Sequence, residues 1–144
     1  MTQTDKMLSR KEGRVGYMIF NNPERHNAVS LEMWEATTGV LVKFADDDEV
    51  RVVVLTGAGG KAFVSGADIS KFASERASIE ATRAYDVKTA AAFNSIYEFP
   101  KPTAAEQSRS PRAHRYRQFF WIQGNIPERP RTPTQIIYHA IAIG

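Results

Sequence analysis

The chain has 144 residues, 42% of them hydrophobic and 24% charged, enough for one ordinary domain that buries about 68 to 70% of the surface its unfolded form exposes. It has no cysteine, which excludes a disulfide framework and thiolate metal sites and makes a reducing compartment, the cytoplasm, the expectation. The net charge of +3 is local: residues 1–105 carry 13 basic and 14 acidic side chains, net −1, whereas residues 106–144 carry 6 and 2, net +4.

The opening MTQTDKMLSRKEG has no apolar core of the kind a secretory leader needs, and no apolar run approaches the roughly 18 residues of a membrane span. Residues 1–12 therefore read as a flexible N-terminus of a soluble chain. Arg14 to Phe20, RVGYMIF, is apolar on both faces and stops at Asn21-Asn22-Pro23, which predicts a largely buried strand ending in a turn. Ser30 is placed to cap a helix with Glu32 in its first turn, and Leu31, Trp34, Thr38, Leu41 and Phe44 or Ala45 recur at helical spacing up to Asp46-Asp47-Asp48. Arg51 to Thr56, RVVVLT, reads as a second buried strand before the loop Gly57-Ala58-Gly59-Gly60. Strand, helix, strand implies a parallel pair with a right-handed crossover.

After that loop come Ala62-Phe63-Val64, which read as extended, and the small-residue turn Ser65-Gly66-Ala67-Asp68. A second helix is predicted over 79 to about 97, with Ile79, Thr82 or Arg83, Tyr85 or Asp86, Ala90, Phe93 and Tyr97 on its stripe and Pro100 and Pro102 beyond its end. There is no internal repeat. From Glu106 onward there is no Leu, Val, Lys or Asp, and four of the seven prolines fall there, a compositional break from globular usage. Phe119 to Ile122 and Ile136 to Ile143 are the apolar patches of this segment, and neither shows a sustained period.

Gly57-x-Gly59-x-x-Ala62 fits the dinucleotide fingerprint by letter, which makes nucleotide binding through residues 57–62 one alternative function. The fingerprint must open a helix whose N–H groups face the pyrophosphate, and the extended, then turned, sequence that follows argues for a plain strand-end turn. A phosphate-binding P-loop is excluded by Leu55, where the motif needs glycine, and a nucleophile elbow around Ser65 by Phe63 and Ala67. A second alternative is nucleic-acid binding through SRSPRAHRYRQFFW, with Arg109, Arg112, Arg115 and Arg117 on phosphates and Tyr116, Phe119 or Trp121 stacking on bases. A solvated tail is the simpler account of four arginines without a recognisable binding fold. His114 has no metal-ligating neighbour at suitable spacing, and His26 reads as a turn residue.

The segments NNPERHNAVSLEM, VRVVVLTGAGGKAFVSGADISKF and FPKPTAA, in this order, resemble the amino-terminal half of the enoyl-CoA hydratase/isomerase (crotonase) superfamily, from about Gly13 to Ala105. The resemblance implies an α/β fold, a spiral of ββα turns, that binds acyl-CoA thioesters and hydrates or isomerises enoyl-CoA, with coenzyme A entering as part of the substrate and no metal or redox cofactor. It places at Ala67, next to Gly66, a backbone N–H that donates to the thioester oxygen. It assigns Arg25, Ala28, Ala67, Asp68, Ile69 and Ser70 to the CoA site. The chemistry is consistent, because an enolate-like thioester needs negative charge stabilised on its oxygen and a fixed N–H does this without reorganisation.

The family pattern should continue from Lys101-Pro102-Thr103 through an apolar strand into a glycine-rich segment, which supplies a second oxyanion N–H, and later into two glutamates that add water. Here Glu106-Gln107-Ser108-Arg109 follows instead, and Glu106 and Glu128 match neither glutamate by context. The chain therefore reads as a partial crotonase-like domain over 13–105 with a non-family, disordered tail over 106–144, for which a reading-frame shift near Ala105 is one account and a natural alternative tail the other. Intact family members assemble as trimers or pairs of trimers. Assembly is not expected here, because much of the surface for it lies in the absent half.

Overall fold

The computed structural model describes residues 4–108 and the strand at 117–123. A five-stranded mixed sheet runs in the order β1 (Met7–Glu12), β2 (Val15–Phe20), β3 (Val52–Gly57), β4 (Thr103–Ser108), β5 (Arg117–Gln123). Strand β2 is parallel to β3 and β3 to β4, while β1 and β5 lie antiparallel on the two edges. Helix α1 (Leu31–Asp46) makes the β2–β3 crossover; the four-residue α2 (Phe72–Glu75) and long α3 (Ile79–Tyr97) lie between β3 and β4. The α/β reading and the parallel β2–β3 pair are thus observed.

Met7–Glu12 is a strand, which corrects the expected flexible N-terminus for these residues. A two-residue connection with Gly13 at φ 57 turns the chain back along β2, Met7 is buried, and Lys11 pairs with Asp47 and Glu49. A short, charged strand of this kind is how sheets protect an edge, and its charge is what disguised it in the sequence.

Strand β2 alternates: Gly16, Met18 and Phe20 are buried, while Val15, Tyr17 and Ile19 are half-buried. Gly16 lets α1 approach, since a Cβ there would lie 3.0 Å from the Phe44 ring. Helix α1 buries Met33, Trp34, Ala36, Thr37, Leu41 and Phe44, so its inward face is rotated from the predicted stripe, and Leu31 and Thr38 sit at its margin. Ser30 occupies the N-cap position without a side-chain cap bond. Its far end is closed by Lys101, whose Nζ donates to the carbonyls of Phe44 and Asp47, both at 2.7 Å.

Helix α3 starts at Ser78, whose hydroxyl accepts the Ala81 N–H at 3.0 Å. It packs on α1 through Trp34 and Phe93, with ring centroids 4.9 Å apart. Its buried positions are Tyr85, Ala92 and Ile96, whereas Ile79 and Tyr97, predicted on the stripe, are exposed. At residues 106–108 and 117–123 the chain forms strands where a disordered tail is expected. Strand β4 continues to Ser108, and Arg117–Gln123 pairs with it, Trp121 opposite Ala104 and Phe120 opposite Ala105. A strand facing an open edge gains backbone hydrogen bonds, here with a register shift between Thr103 and Ala104, which one-dimensional periodicity does not reveal.

Candidate active site

The site is built where β2 and β3 end. After Phe20 the chain makes a 3-10 turn at Pro23–Arg25, followed by two residues at positive φ, His26 at 52° and Asn27 at 58°. Asparagine tolerates this left-handed region because its short polar side chain can bond locally. The Asn27 side chain is fully buried; its oxygen accepts the Asn22 N–H at 2.9 Å, and its amide donates to the carbonyls of Ala58 at 2.9 Å and Ala62 at 2.8 Å. Asn22 in turn donates from its side chain to Ala28 O at 2.8 Å.

The glycine loop is held from beneath by these bonds. A Cβ on Gly57 would lie 2.3 Å from Ala62 O and 2.4 Å from Phe63 O, so glycine is required there by the return of the loop over the strand end. No helix follows: residues 61–68 are turn and coil up to a 3-10 turn at Ile69–Lys71. The nucleotide fingerprint therefore lacks the helix terminus it needs, which removes the support for that alternative.

Phe63 and Val64 are buried, with Phe63 edge-on to Phe20 at 5.7 Å, and they anchor the next turn. That turn is stitched to residues 25–29. Ser65 N–H donates to His26 O at 3.1 Å and its hydroxyl to Arg25 O at 3.3 Å; Val29 N–H donates to Gly66 O at 2.8 Å and Asp68 N–H to Val29 O at 2.9 Å. The last two bonds form a parallel bridge between Val29 and Ala67, in which the neighbours of Ala67 make the bonds and its own N–H points away. Ala67 is exposed, and its N–H has no hydrogen-bond partner among the described residues. Gly66 adopts φ 137, and outside its chain neighbours no heavy atom lies within 4 Å of where its Cβ would be, so the space on that side of Gly66 is open.

Asp68 is 3% exposed and closes the turn from below, accepting the Ser70 N–H at 3.1 Å and the Ser70 hydroxyl at 2.6 Å. The Ser70 hydroxyl bond, with smaller help from the Ser70 N–H and the Arg25 charge, holds the carboxyl below its ordinary range despite the opposing effect of burial. Arg25 Nη1 stands 3.7 Å from the same carboxylate with its side chain 56% exposed, so the guanidinium is oriented by Asp68 yet open to an incoming anion. At that distance and exposure the pair itself contributes little stability.

Arg25, Gly66, Ala67, Asp68 and Ser70 are thus brought together. Ala28 is half-buried beside the bridge, and Ile69 is 73% exposed at the start of the 3-10 turn. Asn22 and Ser65, which the sequence places only in turns, and Asn27, to which it gives no role, supply bonds that join the two turns. Arg109, Arg112, Arg115 and Tyr116, the basis of the nucleic-acid alternative, lie outside the described residues, as do His114 and Glu128. Among the described residues no three His, Cys, Asp or Glu side chains are grouped to hold a metal ion, and no helix is long and apolar enough to cross a membrane.

The family model of enoyl-CoA hydratase/isomerase matches residues 10–107. The chain belongs to the enoyl-CoA hydratase/isomerase family. It is 38% identical over 69 residues to the short-chain-enoyl-CoA hydratase of Clostridium acetobutylicum, covering 48% of this chain and 26% of that protein. To the mitochondrial 3-hydroxyisobutyryl-CoA hydrolase of Danio rerio it is 33% identical over 107 residues, covering 69% of this chain and 26% of that one. Among solved structures, an enoyl-CoA hydratase/carnithine racemase from Magnetospirillum magneticum superposes with a TM-score of 0.67 at 35% identity, covering 72% of this chain and 39% of the other. The chain spans about a quarter of the length of those two curated relatives. The matched region takes in the second half of β1 and ends within β4, close to the compositional break read from the sequence.

Proposed function

We propose that the chain carries half of an acyl-CoA site. The Ala67 N–H donates to the thioester oxygen, Gly66 leaves room for the acyl carbonyl, and Arg25 meets a phosphate of the coenzyme. The observation that carries this reading is the solvent-facing Ala67 N–H, unpartnered among the described residues and held rigid by the Val29 bridge. A donor already aimed where charge develops needs no reorganisation during reaction. Arg25, fixed on one side by Asp68 and open on the other, supplies a planar group suited to phosphate oxygens.

Turnover is a separate matter. One oxyanion donor accounts for roughly 10² to 10³ in rate and positioned acid–base groups for roughly 10² to 10⁴. The second donor and the hydratase glutamates belong to the part of the family pattern that this sequence does not continue. With those groups missing from this sequence, the chain binds enoyl-CoA weakly and turns it over negligibly. Loss of the crotonyl-CoA enoyl absorbance, followed with and without the chain, tests the second half of this statement, and a rate typical of an intact hydratase refutes it. Ala67→Pro tests the first, because proline removes the N–H in question. Binding should disappear while the far-ultraviolet circular dichroism is retained; binding that survives in the folded variant refutes the assignment.

A further inference from the structure

We propose that Asn27 is a positioning residue that keeps the two halves of this site in register, the turn that carries Arg25 and the turn that carries Ala67. This rests on the acyl-CoA reading above, since only a ligand that reaches both turns gains from their fixed separation. The Asn27 side chain is fully buried, and both its amide hydrogens and one acceptor position of its oxygen are used inside the protein. Its oxygen closes the 22–27 turn through the Asn22 N–H, and its two amide hydrogens go to both arms of the glycine loop, at Ala58 and Ala62. From Ala62 the chain runs through the buried anchors Phe63 and Val64 straight into Ser65–Asp68. The second turn is thus hung from the first by one buried side chain, and the Ser65–His26 and Val29–Gly66 bonds fasten the far end.

Aspartate, alanine and glycine each fail to satisfy the position. Aspartate has the same shape and keeps the acceptor, but it turns one carboxylate oxygen, with no hydrogen to donate, toward the two carbonyls. Alanine makes no bond and is strained at φ 58. Glycine accepts that φ and loses all three bonds. Asn27→Gly therefore separates the clamp from the backbone strain and is the informative change.

The experiment uses the full chain, with crotonyl-CoA and crotonyl-pantetheine as probes, the second being the same thioester without the nucleotide. If the turns are held in register, the wild type binds crotonyl-CoA about tenfold more tightly than crotonyl-pantetheine, the worth of one charge-assisted phosphate contact. In Asn27→Gly the ratio falls toward one, although Arg25 is intact, and the amides of Val29, Ser65 and Asp68 exchange with solvent about tenfold faster or more while those of Val53 to Leu55 keep their protection. A purely structural role lowers global stability and leaves the ratio of the folded fraction unchanged. Asn27→Asp, which retains one of the three bonds, gives the same readout where Asn27→Gly does not fold.

A ratio preserved within about twofold in a folded variant overturns the inference and leaves the acyl-CoA reading standing, because twofold is below the worth of one such contact. A wild-type ratio near one overturns the coupling outright. If the wild type binds neither thioester, the acyl-CoA reading fails, and amide exchange alone decides on Asn27: faster exchange at Ser65 and Asp68 supports the clamp, and unchanged exchange refutes it.

Discussion

Replacing Gly57 by alanine should be the most damaging single-methyl change in the loop. The new Cβ would sit 2.3 Å from Ala62 O, 2.4 Å from Phe63 O and 2.6 Å from the Asn27 amide nitrogen, all inside the closest approach real Cβ atoms show. Two of these neighbours are backbone, so relief requires the 58–63 loop to lift from the end of β3. Overpacking of this kind costs about 1 to 3 kcal/mol. Lifting the loop also lengthens the Asn27 bonds to Ala58 and Ala62, at about 1 kcal/mol each. The sum, about 3 to 5 kcal/mol, is a large part of the stability of a small domain. Gly60→Ala is the matched control. Its Cβ meets nothing within 4 Å, and only the strain of φ 69 remains, about 1 kcal/mol. Urea denaturation of both variants, followed by tryptophan fluorescence because Trp34 lies in the core, gives the difference directly. Equal midpoints for the two variants would refute the claim that loop return, rather than backbone freedom alone, fixes Gly57.

Lys101→Met removes the ammonium that closes α1 and should lower stability by about 1 to 2 kcal/mol in the same denaturation assay, leaving the Ala67 turn unchanged. Ser78→Ala removes the α3 cap and should cost about 1 kcal/mol, recovered in large part by Ser78→Asp. The carboxyl of Asp68 titrates below its unfolded value, so it stabilises the fold above an unfolded pKa of about 3.9 and loses that contribution as pH falls through the lower folded value. Asp68→Asn should therefore flatten the acid side of the stability profile and leave its slope above pH of about 6 unchanged, as measured by thermal unfolding across a pH series.

Elements with sustained apolar patterns were legible from the sequence: β2, α1, β3 and α3 fall within a residue or so of their predicted bounds. What misled was the choice of inward face. In α3 the predicted Tyr85 and Phe93 do face inward, but Ile79 and Tyr97 at the ends of the predicted stripe are exposed and Ala92 and Ile96 are buried instead, because packing against α1 and α2, not the distribution of apolar letters, selects the face. Strand β1 was hidden because its last four residues, Ser9 to Glu12, are polar or charged, and β5 because its pairing depends on the open edge of β4. The Gly66-Ala67 turn was legible through its family setting. Asn27 was not, since an asparagine beside a proline turn ordinarily reads as solvated, and its partners at Ala58 and Ala62 are 31 and 35 residues away. Gly66 and Asn27, both at positive φ, show how a local backbone conformation, invisible in one dimension, decides a long-range contact.

The central claim is that residues 25–29 and 65–70 together receive an acyl-CoA thioester. Titration of the isotopically labelled chain with crotonyl-CoA, reading backbone amide shifts, tests it most directly. The account predicts saturable shifts concentrated at Arg25, Ala28 and Gly66 to Ser70, largest at the Ala67 amide, and quiet amides at the Gly13 and Arg51 end of the sheet. Shifts absent from the Ala67 turn, or strongest at that opposite end, would contradict it.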